Sequence, residues 1–113
     1  QQEALMAERA ATRDAANRLL TTWHAQHKGD VYRMMKTCHV FGDIFGGVDP
    51  IANMSFGMND ATGLKKAWHK LAAKLHPDRQ QHAPTATQVL AEEVFKTLTL
   101  AYNKEVERLA LRA

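Results

Sequence analysis

A histidine, a proline and an aspartate, His76-Pro77-Asp78, follow directly on the segment Leu-Lys-Lys-Ala-Trp-His-Lys-Leu-Ala-Ala-Lys-Leu that spans residues 64–75. Asp78 is an acceptor that an arginine can grip with two parallel hydrogen bonds. His76 offers a donor and an acceptor near neutral pH. Pro77 removes backbone freedom between them, which lowers the entropy lost when such a corner is bound. Winding the preceding segment at 3.6 residues per turn sets Lys66, Lys70 and Lys74 in one row, with Lys65 and His69 beside it. Arg79 carries the positive surface past the proline. A lysine row alone is a solvated face, and a bare tripeptide is a weak motif. A row that runs straight into a rigid turn bearing a carboxylate reads as a docking surface.

Other chemistries have thinner support. Six histidines invite a metal reading, and His24 and His27 at i, i+3 could share a helix face. No Cys-x-x-Cys or His-Glu-x-x-His spacing accompanies them, so neither a metal nor another cofactor is expected. Cys38 falls in an apolar helical stripe, which suits a buried, inert thiol better than a nucleophile. A lysine-faced helix could also follow phosphates. Against that stand a modest net charge of +3 and a pI near 9.2, with no helix-turn-helix or stacking-aromatic pattern. A basic helical nucleic-acid-binding module is therefore kept as the alternative from another class.

The elements that must position the corner are helical throughout. With 113 residues, 45% of them hydrophobic and 24% charged, the chain suffices for one small all-α domain. Residues 3–27 are rich in helix formers, with a thin apolar face of Leu5, Met6, Leu19, Leu20 and Trp23, and Lys28-Gly29 as a stop. Trp23 either packs that helix on the domain or marks a partner surface. Asp30 can cap a second helix over 31–41, where Val31, Met34, Met35, Cys38 and Phe41 form one stripe. A loop over 42–59 is broken by Gly46-Gly47, Asp49-Pro50 and Gly57, yet it carries Phe45, Ile51, Met54, Phe56 and Met58. That composition predicts a loop packed on the core.

Asp60 can cap the basic helix over 61–75, although Gly63 weakens its first turn by roughly 1 kcal/mol relative to Ala. Leu64, Ala67, Trp68, Leu71 and Leu75 are its inward stripe, and Pro77 must end it near Leu75. Residues 76–86 read as an exposed polar loop. A last helix over 87–111 turns Leu90, Val94, Leu98, Ala101, Tyr102 and Leu109 inward, antiparallel to the basic helix. A single cysteine excludes an internal disulfide and suits a reducing, cytoplasmic setting. No apolar run is long enough for membrane insertion, and no signal-peptide pattern opens the chain. Asn53-Met54-Ser55 matches a glycosylation acceptor by chance on that reading. The start at Gln1-Gln2 without a methionine leads us to expect a fragment of a longer protein.

The surroundings of the tripeptide resemble the J-domain (DnaJ-like) family. Trp68-His69-Lys70-Leu71-Ala72, Lys74-Leu75-His76-Pro77-Asp78-Arg79, then Val94-Phe95 and Ala101-Tyr102, follow that family's pattern over residues 60–107. Asp30-Val-Tyr-Arg-Met-Met-Lys-Thr-Cys-His39 with the long apolar loop looks like the auxilin type, as do the Gln-rich stretch after Asp78 and Ala91-Glu92-Glu93-Val94-Phe95. The tryptophans usual in the auxilin loop are missing, and His69 replaces a permanently charged residue.

The resemblance implies a co-chaperone rather than an enzyme. Such a protein docks on the seventy-kilodalton heat-shock chaperone and stimulates its ATP hydrolysis, in the auxilin type to uncoat clathrin-coated vesicles. By position, Asp78 would engage a chaperone arginine, and His76 and Pro77 would shape the corner. Lys65, Lys66, His69, Lys70, Lys74 and Arg79 would line the docking face. On this reading residues 1–28 are an N-terminal helical extension and 29–113 an auxilin-type J-domain, monomeric, reaching clathrin through the full-length protein. A J-protein with another client is the nearer alternative.

Overall fold

The computed structural model of the protein describes residues 2–41 and 44–112, apart from the side chains of Gln2 and Leu5, and it is helical. The described residues form four α-helices: α1 (Gln2–Gln26), α2 (Val31–Thr37), α3 (Ala61–Leu75) and α4 (Thr85–Arg112). Three-residue 3₁₀ turns follow α2 at Cys38–Val40 and α3 at Pro77–Arg79. The all-α expectation holds. The second helix is shorter than its apolar stripe suggested, because the chain tightens into the 3₁₀ turn at Cys38 before Phe41 reaches the core. α4 starts at Thr85, directly after Pro84, whose carbonyl accepts from the Gln88 amide.

Local chemistry explains the boundaries. α1 ends where Lys28 and Gly29 take positive φ angles of 54° and 68°, and the Gly29 amide closes on the His24 carbonyl. Asp30 caps α2 by accepting from the amides of Tyr32 and Arg33. Asp60 caps α3 by accepting from the Gly63 amide at 2.9 Å. Gly63 is required by that cap. A Cβ there would collide with the Asp60 carboxylate and come within 2.7 Å of the Phe56 side chain.

α4 is the central post, with other helices on three of its sides. α3 runs antiparallel to it, and Trp68 stacks nearly parallel on Phe95 and Tyr102 at centroid distances of 5.7 and 4.8 Å. α1 runs parallel to α4: Arg9 and Arg13 reach Glu92 and Glu93, while His24 lies against Thr97 and Leu100 further along. α2 closes the third side, and Val31, Met34, Met35, Cys38 and Phe41 are all buried as the spacing predicts. Burial on two or more faces leaves α4 without a single apolar stripe, so Val89, Ala91 and Glu93 are buried although the inward face read from sequence omits them.

Two details differ from the sequence reading of the apolar faces. On α1 the buried positions are Ala16, Leu20 and Trp23, one i, i+4, i+7 row, whereas Met6 and Leu19 face outward; the Leu5 side chain lies outside the described residues. Trp23 packs edge-on against Phe41 at 4.8 Å and donates its indole N–H to Thr37 at 2.9 Å. It fastens α1 to the end of α2. The loop before α3 buries Ile44, Ile51 and Phe56, half-buries Phe45 and Met54, and leaves Met58 exposed; residues 42 and 43 lie outside the described set.

Polar groups tie the far end together. The Tyr32 hydroxyl donates to Glu105 at 2.5 Å, and the Arg108 guanidinium reaches the same carboxylate at 2.6 and 2.7 Å as well as Asn59. The Arg108 hydrogen bonds hold the Glu105 carboxyl below its ordinary range, and Tyr32 adds to the effect against the opposing cost of burial. A depressed folded-state value means that this contribution is fully present above the unfolded carboxylate value of about 4.3 and fades as pH falls through the lowered one. Glu105→Gln should therefore be less stable than the parent in urea titrations at pH 6, and the gap should shrink progressively below about pH 4.

Candidate functional site

α3 is built to present one face and bury the other. Leu64, Ala67, Leu71 and Leu75 have 1% exposure or less, and Trp68 is clamped on α4. That seating fixes the rotation of the helix, so Lys65, Lys66, His69, Lys70 and Lys74 all stand exposed on the opposite side. Among the described residues no carboxylate lies within 4 Å of any of these lysines or of Arg79. By contrast, Arg9, Arg13 and Arg108 are all paired. Of the ten lysines and arginines with no carboxylate within 4 Å among the described residues, five stand on α3 and its turn.

The turn has its own hydrogen-bonded frame. Pro77 starts a 3₁₀ turn closed by Arg79 N–H to His76 O at 2.9 Å and Gln80 N–H to Pro77 O at 3.0 Å. His76 Nδ1 accepts from the Asp78 amide at 3.2 Å. The neutral ring therefore carries its proton on Nε2, and of the donor and acceptor anticipated from sequence only the donor faces a partner. His76 thereby caps the 3₁₀ turn. The Asp78 side chain is 78% exposed, its carboxylate accepts no hydrogen bond among the described residues, and its nearest ionisable neighbour is His76 Nδ1 at 3.6 Å.

The polar loop after Asp78 hides a residue that the sequence did not flag. Gln80 is 8% exposed, and its amide donates to the carbonyls of Lys74 at 3.0 Å and Ile44 at 3.4 Å. Lys74 O is among the last carbonyls of α3, which have no intrahelical partner. One side chain thus satisfies the helix end, anchors the turn and joins both to the loop before α3. A glutamine two residues past a helix-stopping Pro-Asp is the only sequence signal for this role, and composition hides it among polar neighbours.

The remaining candidate groups disperse. His24 and His27 sit near the end of α1, with His27 beside Thr37; His82 is exposed; His39 Nδ1 lies buried 3.9 Å from an Asp49 oxygen without a hydrogen bond. Among the described residues, no three of His, Cys, Asp and Glu converge in a way that could hold a metal ion. Cys38 is buried, and burial, with Asp49 nearby, pushes its thiol up to about 12. Among the described residues, no helix is long and apolar enough to cross a membrane.

An exposed basic helix, seated by its apolar edge, thus ends in a rigid His-Pro-Asp turn, the arrangement whose sequence resembles the J-domain family. The comparisons agree. The chain is 40% identical over 79 residues, 70% of its length, to DnaJ homolog subfamily B member 14 of Xenopus laevis, and 37% identical over 79 residues to the protein of that name from Xenopus tropicalis. This homology supports a J-domain family for the chain. It spans 18% and 17% of those two relatives, which lend no support to an auxilin subtype. No family model and no solved structure matches the chain.

Replacing Gln80 tests the frame. Gln80→Leu deletes two hydrogen bonds, each worth about 0.5–1.5 kcal/mol, and leaves the Lys74 carbonyl unpaired. We expect a loss of about 1–3 kcal/mol in chemical denaturation. Hydrogen exchange should also quicken at the amides of Asp78, Arg79 and Gln80 while the amides of α4 keep their relative protection.

Proposed function

We propose that the chain is a J-domain co-chaperone that docks on the ATP-bound form of the seventy-kilodalton heat-shock chaperone and stimulates its ATP hydrolysis, performing no chemistry itself. The observation that carries this reading is the His76-Pro77-Asp78 turn: hydrogen-bonded, exposed, with an Asp78 carboxylate that accepts no hydrogen bond among the described residues, and set at the end of a helix whose lysines have no carboxylate within 4 Å among them. The DnaJ homology supports it and weighs against the nucleic-acid alternative. The geometry suggests a division of roles. Lys65, Lys66, His69, Lys70, Lys74 and Arg79 attract and orient an acidic surface, so they set association rate and salt sensitivity. Asp78 takes a bidentate arginine, with the Nε2–H of His76 beside it and Pro77 holding both in place.

The test is single-turnover ATP hydrolysis by the cognate chaperone. The parent chain should accelerate it, and Asp78→Asn should lower the effect about 10- to 100-fold, the value of a lost hydrogen bond to a charged group at about 1.5–3 kcal/mol. Lys66→Ala with Lys70→Ala should instead raise the concentration needed for half the effect, and the deficit should narrow as salt is added. No acceleration by the parent, or an unaffected Asp78→Asn, would sink the reading.

A narrower function is carried by α2 and the packed loop ahead of α3. That arrangement supports the auxilin-type resemblance, with the clathrin coat as client and a cytoplasmic setting. The full-length protein should then release clathrin from preformed cages in the presence of chaperone and ATP. Failure of release alongside intact ATPase stimulation would assign the chain to a J-protein with another client.

A further inference from the structure

Beside the turn, the loop before α3 builds a second surface that the His-Pro-Asp reading does not use. Ile44, Phe45, Val48 and Pro50 from the loop, with Lys74, Arg79 and Gln80 from the turn side, line an open cleft of about 260 Å³. Gly46 and Gly47 take positive φ angles of 62° and 78°, and the Val48 amide closes back on the Phe45 carbonyl at 3.2 Å. The reversal holds the Val48 side chain outward, 66% exposed, on the cleft's rim. Gln80 hydrogen-bonds to Ile44 O and Lys74 O, so the loop wall and the turn wall are fastened to each other.

The cleft is smaller than ordinary small-molecule sites of about 300–1,000 Å³ and open to solvent, which suits a few side chains presented by a polypeptide. Ile44, Phe45, Val48 and Pro50 supply its apolar lining and its turn side carries two cations, Lys74 and Arg79, with no carboxylate within 4 Å among the described residues. That combination selects acidic and apolar residues together. A second copy of this chain fits poorly, since it would bring its own positive face towards the same rim.

We propose that this cleft receives an extended segment of alternating acidic and apolar character belonging to the same ATPase that reads Asp78. The proposal rests on the co-chaperone reading and deepens it: the turn sets the response, and the cleft adds affinity through a contact specific to this loop. The cleft adjoins the turn, so one partner can cover both at once.

Two variants of the exposed Val48 keep the fold intact while changing only the rim. In the chaperone assay, Val48→Glu should raise the concentration for half-maximal stimulation about tenfold through like-charge repulsion, leave the saturating rate unchanged, and do so less at high salt. Val48→Lys should leave that concentration unchanged or lower it. Independently, the chain alone should be titrated with an eight-residue peptide of alternating leucine and glutamate, and with a leucine–lysine peptide of the same length.

Amide shifts at Phe45, Val48, Lys74 and Arg79 with the acidic peptide only would support the cleft. Binding of that peptide without ATPase stimulation would remove the co-chaperone reading and with it the ATPase as occupant. Stimulation by the parent with Val48→Glu indistinguishable from it, or no preference between the peptides, would overturn the cleft proposal and leave the co-chaperone reading standing. Self-association of the parent that Val48→Glu abolishes would likewise overturn it, giving the cleft to a second copy.

Discussion

The end of α3 is the constraint on which the site depends. Pro77 forbids continuation of the helix, so the last carbonyls of α3 lose their intrahelical partners within a packed region. The Gln80 side chain satisfies the carbonyl of Lys74, and just past the helix a 3₁₀ turn closes on the carbonyls of His76 and Pro77. Each bond also fixes the direction in which Asp78 leaves the backbone. The apparatus that terminates the helix is the same one that presents the carboxylate, so the shape of the corner is tied to the stability of the helix end. Because Gln80 also bonds to Ile44 O, the loop before α3 belongs to this frame.

A second requirement is that α3 cannot rotate. Leu64, Ala67, Leu71 and Leu75 are sunk between α2 and α4, and the Trp68 indole lies flat against two rings of α4. α4 is in turn braced along its opposite side by α1, where Arg13 spans Glu92 and Glu93 and Trp23 locks the helix end. Those arginine pairs are partly exposed, so their worth lies more in fixing register than in raw stability. The long helices give the molecule its 53 Å extent, against 24 and 21 Å in the other directions. Acidic residues on the α1 side of α4 are consumed internally, while the lysines on the far side of α3 are left open. The molecule's electrostatic asymmetry follows from its packing.

Legibility from sequence tracked how one-sided each element is. α3 has one buried face and one wet face, so its residues, its ends and its lysine row were readable from spacing alone. α2 was readable in its stripe but not in the 3₁₀ turn at Cys38, since that tightening changes hydrogen-bond pattern and not apolar order. α4 is covered on several sides, and Val89 and Glu93 had no periodicity to reveal them. Glu93 is buried where Arg13, 80 residues away, meets it at 2.8 Å. Trp23 was ambiguous because its partners, Phe41 and Thr37, lie on another element. Gln80 was invisible for the same reason: its value lies in reaching two carbonyls that the fold brings beside it.

The placement of Asp78 argues for function on electrostatic grounds. The carbonyl end of a helix carries partial negative charge, and a carboxylate beside it is disfavoured by about 0.3–1 kcal/mol, whereas Lys74 in the last turn of α3 is favoured there. Asp78 stands three residues past Leu75, at that unfavourable end. Its own amide is already served by His76, so the carboxylate is not needed as a cap, and it accepts no hydrogen bond among the described residues. A neutral amide would serve local stability as well or better. What a carboxylate adds is an unsatisfied acceptor, held at a fixed angle on a turn flanked by Lys74 and Arg79. Those two cations soften the repulsion from the helix end without closing on the carboxylate. A guanidinium arriving from outside would find the acceptor exposed, oriented, and free of any hydrogen bond among the described residues, and those are the conditions under which a single charged hydrogen-bonding pair contributes most.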